Sequence, residues 1–370
     1  MIARRQFLSS SVGALAALTG GTWALAQLAE SGSPGPEALP DGSASKDMIT
    51  PEAQRAIDRG LAYLERNQAE GGWFGTHMNE GNVAITSLAA LAMMAGGHQP
   101  GRGQYGRVVS RALDYVLEQE DPNEPGYLHN SHPGSHGPMY SHGFGTLFLA
   151  EVYGMVQDRR RRNKLRGTLS RAVNLIIDRQ NARGGWRYYP NSRDADISVT
   201  ICQIMALRAA RNAGFFVPKS TVDRCVRYVK RCQDPDGSFR YMDVAGNGFG
   251  PPFARTAAGV VALYSAGIYK GVEIERGLDY LLRNCKPQPR DFVPVNMHYF
   301  YGHYYAVQAM WTAGGAYWSE WFPAIRDELV LTNRPTSEGA WIDQICIHYG
   351  TAMACIILQI PNNYLPIFEK

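Results

Sequence analysis

Charge is scarce in this chain of 370 residues. Asp, Glu, Lys and Arg make up only 19% of it, against the usual quarter, so much of the chain must face other parts of itself. Hydrophobic residues reach 45%, enough to bury a sizeable core and to exclude wholesale disorder. The net charge is only +4, and two of those positives, Arg4 and Arg5, fall in a leader expected to be removed. No nucleic-acid partner is expected on that balance. Beyond the N-terminus no run reaches about 18 uninterrupted apolar residues, so the mature chain is not expected to be an integral membrane protein. The 39 glycines show no period of three, which excludes collagen. There is no Cys-x-x-Cys pair among the six cysteines. Cys225 and Cys232, seven apart on a predicted helix, would sit about 10.5 Å apart along its axis, beyond disulfide reach. No cofactor or metal is expected.

The first 26 residues read as an address. Arg4-Arg5-Gln6-Phe7-Leu8 has the twin-arginine export pattern, a weakly apolar run follows from Val12, and Ala24-Leu25-Ala26 offers the small-x-small cleavage pattern. Export to a periplasmic or cell-envelope location is the expectation. Residues 27–50, with Ser31-Gly32-Ser33-Pro34-Gly35-Pro36, read as a flexible tether. Thr50-Pro51-Glu52 then supplies an N-cap, an N1 proline and a first-turn acid, opening a helical domain that runs from 51 to 370.

That domain repeats itself. The pattern of Ile57-Asp58-Arg59-Gly60-Leu61-Ala62-Tyr63-Leu64 returns from Ser110, Ser170, Asp223 and Glu275, with a worn copy through Ile325–Leu329, a period of about 50 to 60 residues. These helices are charged on one side and apolar on the other, which suits an outer, half-wet ring. Each is followed by a helix apolar nearly all round, carrying Thr86, Thr146, Thr200, Thr256 and Thr351 at an equivalent early position, with His303 in the fifth copy. Six wet and six dry helices in alternation predict an all-α, (α/α)6 toroid of six helix-pair repeats.

Between the two helices of a repeat comes the most specific local pattern. Gln68-Ala69-Glu70-Gly71-Gly72-Trp73, Gln180–Trp186 and Gln233–Phe239 are versions of one sentence, and Ser337–Trp341 is a degraded copy. The glycine is expected to end the outer helix in a left-handed conformation, the aromatic to cover the turn, and the glutamine amide to bond carbonyls of the neighbouring repeat. Gln-x-x-x-Gly-x-Trp resembles the QW repeat of the squalene and oxidosqualene cyclases. The resemblance covers about residues 51–370 and implies the α/α toroid of the prenyltransferase and squalene-cyclase superfamily.

It also implies site residues. Asp194-Ala195-Asp196-Ile197-Ser198 resembles the cyclases' Asp-x-Asp-Asp-Thr segment, so Asp196 matches the acid that protonates a terminal alkene. Asp194 matches the first acid, while Ile197 replaces the third and Ser198 the threonine. The reading from capping chemistry alone is that both acids begin a helix and complement its dipole. Because inner helices of a toroid run the same way, Asn82, His142, Asp194, Asp196, Arg255, His303 and His348 are expected to converge on one mouth. His303 could polarise Asp196 in place of the missing carboxylate. Tyr299, Tyr301, Tyr304 and Trp311 would line a cavity and stabilise cations through their π-faces, with His142 and Arg255 as further contacts. Zinc prenyl transfer is unexpected, since no Asp-x-Cys pair occurs. His129, His132, His136 and His142 read as hydrogen-bonding loop residues rather than metal ligands, and the Arg159–Arg162 run as a solvated surface. Three functions compete: an isoprenoid-handling, acid-initiated cyclase; a non-catalytic toroid binding a hydrophobic ligand or a protein partner; and a carbohydrate-active toroid using carboxylates such as Asp194, Asp196 or Asp243.

Overall fold

A computed structural model describes residues 47–130, 137–244, 250–288 and 298–369. The expected leader and nearly all of the tether therefore lie outside the described residues, as do His132 and His136. The described residues form one compact unit. Its outer helices are α1 (Pro51–Arg66), α3 (Gly106–Glu118), α5 (Arg159–Asp178), α7 (Lys219–Arg231), α9 (Val272–Cys285) and α11 (Gly315–Asp327). Its inner helices are α2 (Val83–Ala95), α4 (Pro138–Val152), α6 (Ile197–Asn212), α8 (Phe253–Ser265), α10 (Tyr299–Ala313) and α12 (Ile347–Gln359). Each inner helix packs on the next, and α12 returns to α2, so the toroid closes. The described residues contain no strand. The Thr50 hydroxyl accepts from the Ala53 N–H at 3.2 Å and starts α1 as its sequence demands. All six cysteines are free thiols.

The repeated loops stitch neighbours together. Gln68, Gln180 and Gln233 each donate through Nε2 to the glycine carbonyl four residues on. The same nitrogens donate to Val108, Thr221 and Glu273, in the first turn of the next outer helix, at 2.9–3.0 Å. Gly72, Gly184, Gly237 and Gly339 have φ between +88° and +98°. They do not end the outer helices, which stop several residues earlier. They sit in a tight loop pressed on the backbone of the next repeat, where a Cβ would lie 2.3–2.6 Å from a carbonyl oxygen of Arg111, Arg224, Arg276 or Arg59. The last of these contacts, Gly339 against Arg59, seals repeat six to repeat one.

The inner threonines lock the same loops. Thr86, Thr200, Thr256 and Thr351 accept through Oγ1 from the N–H of Phe74, Trp186, Phe239 and Trp341 at 3.0–3.1 Å. Two expectations change here. The buried aromatic of the first repeat is Phe74, two residues after Gly72, whereas Trp73 is half-buried. In the second repeat the acceptor is His142, whose Nδ1 takes the Leu128 N–H at 3.2 Å; Thr146 lies one turn deeper with its hydroxyl unpartnered. This difference is measurable. Thr200→Val should cost about 1–3 kcal/mol, because a buried N–H loses its acceptor. Thr146→Val should not destabilise, because its buried hydroxyl has no hydrogen bond to lose. Urea denaturation of the two variants checks the assignment, and equal losses would contradict it.

The C-terminal segment covers one end of the ring. Asn362 donates to Ala95 O at the end of α2, Ile367 N–H to Glu151 at the end of α4, and Trp311 at the end of α10 donates to Phe368 O. Arg208 of α6 bonds both Tyr264 O of α8 and Glu369 O. The C-terminal ends of the inner helices thus gather under this segment, and their N-terminal ends form the opposite mouth. Burial pushes the Glu151 carboxyl up to about 8, against the opposing pull of the Ile367 N–H and Arg208. Between its ordinary value of 4.5 and about 8 the folded state holds a proton that the unfolded state releases, so stability falls as pH rises through that window. Glu151→Gln should flatten the fall and leave the variant more stable than the parent by a few kcal/mol at pH 9. Thermal melts at pH 5 and pH 9 read the sign.

Candidate functional site

The mouth formed by the inner N-termini is built around Asp196. Its backbone is pinned at both sides: Asp196 N–H donates to Trp186 O at 3.1 Å, and Ile197 N–H to Tyr241 O at 2.9 Å. Two loops from adjacent repeats therefore fix where α6 begins. Asp196 is fully buried, and its Oδ1 accepts the Val199 N–H at 2.9 Å as the N-cap of α6. Its Oδ2 has no hydrogen-bond partner; the nearest cation is Arg187 Nε at 3.6 Å. Burial raises this carboxyl to about 7, outweighing the Val199 N–H, the Arg187 charge, the Ser198 N–H and the Tyr241 hydroxyl, all of which favour the anion. The cap therefore uses one oxygen of the carboxyl group, and the other faces Arg187.

A set of tyrosines surrounds this acid. The Arg187 guanidinium lies over the Tyr188 and Tyr241 rings at 5.0 and 5.5 Å, and the hydroxyls of those two tyrosines are hydrogen-bonded to each other. Tyr140 follows, 6.1 Å from the Tyr188 ring and 6.5 Å from the Tyr301 ring. Tyr301 donates to Ser198 O at 2.7 Å and stacks edgewise on Tyr305. Burial, reinforced by the Asp196 charge among others, holds the Tyr140 and Tyr301 hydroxyls well above the usual phenol range, so both stay protonated. Tyr140, Tyr188, Ser198 and Tyr241 are half-buried, so this wall is partly open to solvent. Arg187, Tyr188, Tyr140 and Tyr241 were not singled out from sequence. Tyr188 and Tyr241 share a signal, each standing two residues after the loop aromatic, Trp186 or Phe239, while Arg187 lies between Trp186 and Tyr188, and Tyr140 opens α4.

The other expected site residues divide. Asp194 joins Asp196 through Arg187, which it meets at 2.7 Å, but its side chain is half exposed. Tyr304 is buried between Phe144 and Tyr305, deeper along the axis than Tyr301. His303 is not beside Asp196. Its ring packs on Tyr299, Phe253 and Trp321, and burial lowers it to about 3, so it is neutral at physiological pH. Tyr299 turns outward to hydrogen-bond Glu328, and Trp311 belongs to the covered end with Phe368 and Trp318. Arg255 holds Phe239 O and Gly250 O. His142 and His348 serve as loop acceptors, the latter for Gly75 N–H at 3.0 Å, and Asn82 caps α2. His129 pairs with Asp121 at 3.0 Å. No cluster of metal-ligating side chains occurs among the described residues.

No protein-family model matches the chain, and no curated protein does. Solved structures match over most of its length. The type II terpene cyclase MstE from Scytonema is 15% identical, with a TM-score of 0.58, covering 85% of this chain and 99% of that one. The GH76A α-1,6-mannanase from Salegentibacter is 8% identical at TM-score 0.59, covering 84% and 99%. The cellobiose 2-epimerase from Bacillus thermoamylovorans is 12% identical at TM-score 0.60, covering 84% and 98%. The chain therefore has the (α/α)6 toroid fold, which terpene-handling and sugar-handling enzymes share. At these identities the likeness concerns the fold alone. No described helix is long and apolar enough to cross a membrane.

Proposed function

We propose that this protein is a member of the QW-repeat, terpene-cyclase-like toroids that takes an isoprenoid chain at its mouth and starts its cyclisation with Asp196. The observation that carries this reading is a fully buried carboxyl with one oxygen fixed in a helix cap and the other without a hydrogen bond, 3.6 Å from Arg187; burial raises the group to about 7. Such a group keeps part of its proton up to neutral pH, whereas an ordinary aspartate does not. In the reaction Asp196 gives its proton to the terminal alkene carbon. The alkene π pair forms the new C–H bond, and the next alkene closes the ring on the resulting cation. Loss of a proton to a base ends the sequence, so the product is an isomer of the substrate. The π-faces of Tyr140 and Tyr301 stabilise positive charge along that path. Arg187 stabilises the carboxylate left behind.

The MstE structures hold geranylgeranyl dihydroxybenzoate as substrate and merosterolic acid A as product, which makes a geranylgeranyl-bearing aromatic acid the first compound to try, with squalene second. In D2O the expected result is an isomeric product carrying one deuterium on carbon, read by mass spectrometry. The runner-up is a binding toroid without turnover, favoured by Arg187, which holds the anion as well as the acid. Protection of the protein against unfolding by the same compound, with no isomer formed, decides for it. The sugar-handling reading has less support, because Asp196 is fully buried and Asp194 is held by Arg187. The N-terminal pattern supports export for this activity.

A further inference from the structure

The end of the toroid covered by the C-terminal segment carries a surface that the low net charge conceals. The first turns of α5 hold Arg159, Arg160, Arg162 and Lys164, all exposed and in no ion pair among the described residues; only Arg161 is paired, with Asp114. Four consecutive arginines at a helix N-terminus oppose the helix dipole, so local helix stability does not account for them. Arg107 at the start of α3 and Arg211 at the end of α6 are exposed on the same end. Beside these cations stand apolar groups from three further connections. Phe216 in the α6–α7 loop is 82% exposed, Tyr364 in the C-terminal segment 55%, and Val272 at the start of α9 50%. The mouth end differs. It too exposes apolar residues, Met78 and Ile345 among them, but its Arg183, Arg187, Arg231 and Arg240 are bound to Asp194, Asp234 and Asp243, and the exposed Arg193 and Arg334 stand singly on separate loops instead of in a cluster.

We infer that this covered end is a docking surface for an anionic lipid bilayer, with the arginines at the headgroups and Phe216 and Tyr364 reaching the acyl boundary. Unpaired cations attract any polyanion, but solvent-facing aromatic and aliphatic tips among them gain only at an interface with an apolar layer. No described helix spans a membrane, so the association is peripheral and salt-sensitive. It turns the Asp196 mouth away from the lipid. The inference does not rest on the cyclase reading, because it uses none of that site's residues.

The test is co-sedimentation of the full chain with vesicles of phosphatidylcholine alone or mixed equally with phosphatidylglycerol. Binding is expected to the mixed vesicles only, and to weaken as salt rises. Replacing Arg159, Arg160 and Arg162 together by Gln should reduce it about 100-fold, since about 1 kcal/mol per basic residue is roughly fivefold each. Phe216→Ser should lower it several-fold more, and Met78→Ser should leave it unchanged. Unaltered thermal melting of each variant keeps the comparison clean. Binding that ignores the arginine replacements overturns the inference, as would happen if the N-terminal segment alone did the anchoring. Indifference to Phe216→Ser, together with equal binding to duplex DNA, also overturns it, leaving a general polyanion surface.

Discussion

Gly184→Ala is expected to destabilise the toroid by about 3–5 kcal/mol. Gly184 has φ +98°, a conformation that costs a residue with a Cβ about 1–3 kcal/mol. The methyl would also lie 2.4 Å from the Arg224 carbonyl oxygen, which is backbone and cannot swing aside. Repeats three and four would have to separate, breaking the Gln180 amide bond to Thr221 O, worth roughly 0.5–1.5 kcal/mol. Gly214→Ala is the control. Its φ is +90°, but nothing lies within 4 Å of the added atom, so it should cost only the conformational strain. Denaturation midpoints separate the two. Equal losses would mean that the seam between repeats yields easily and that the glycine is there for its φ alone.

The same seam explains what the sequence made legible. A loop used at four places around the ring with one geometry leaves one spelling, Gln-x-x-x-Gly-x-aromatic at three of them and Gly-x-Trp at the fourth, so the repeat and the double ring could be read from residues. What could not be read is where different chemistry does the same work. His142 Nδ1 and the threonine Oγ1 atoms are equivalent acceptors in space, but a histidine in the second copy looks like a site residue and a nearby Thr146 looks like the match. In repeat one two aromatics adjoin, and only burial separates Phe74 from Trp73. Helix α10 was opaque for another reason. Apolar and aromatic on every side, it carries no polar face to mark which tyrosines look inward. Tyr301 and Tyr304 do, whereas Tyr299 and His303 pack toward Trp321 and Glu328. Asp196 was legible as a site residue through its resemblance to the cyclases' acidic segment and as a cap because one must precede a helix; its spare oxygen was not, since that depends on where Arg187 and Tyr241 arrive from other loops.

Asp196→Asn should lower turnover by about 10²–10⁴-fold while the fold remains. Asparagine keeps an oxygen for the Val199 N–H and is as good an N-cap, so at pH 5 stability should stay within about 1 kcal/mol of the parent. It has no proton to give. At higher pH the two proteins diverge in a direction that the raised pKa fixes. From the ordinary 3.8 up to about 7 the folded parent holds a proton that the unfolded chain releases, so its stability declines as pH rises and the decline is complete above about 7. The asparagine variant lacks that decline and should exceed the parent by a few kcal/mol at pH 9. Turnover by the parent should fall along the same limb, because the ionised carboxylate cannot protonate an alkene. Arg187→Gln tests the coupling. Removing the cation 3.6 Å from Oδ2 should move the falling limb to higher pH, a shift that a purely structural arginine would not produce. Turnover that persists in Asp196→Asn, with the parent's pH profile, would remove the acid from the mechanism. Loss of turnover with an unmoved limb in Arg187→Gln would leave Asp196 as the acid and Arg187 as a partner of Asp194 alone.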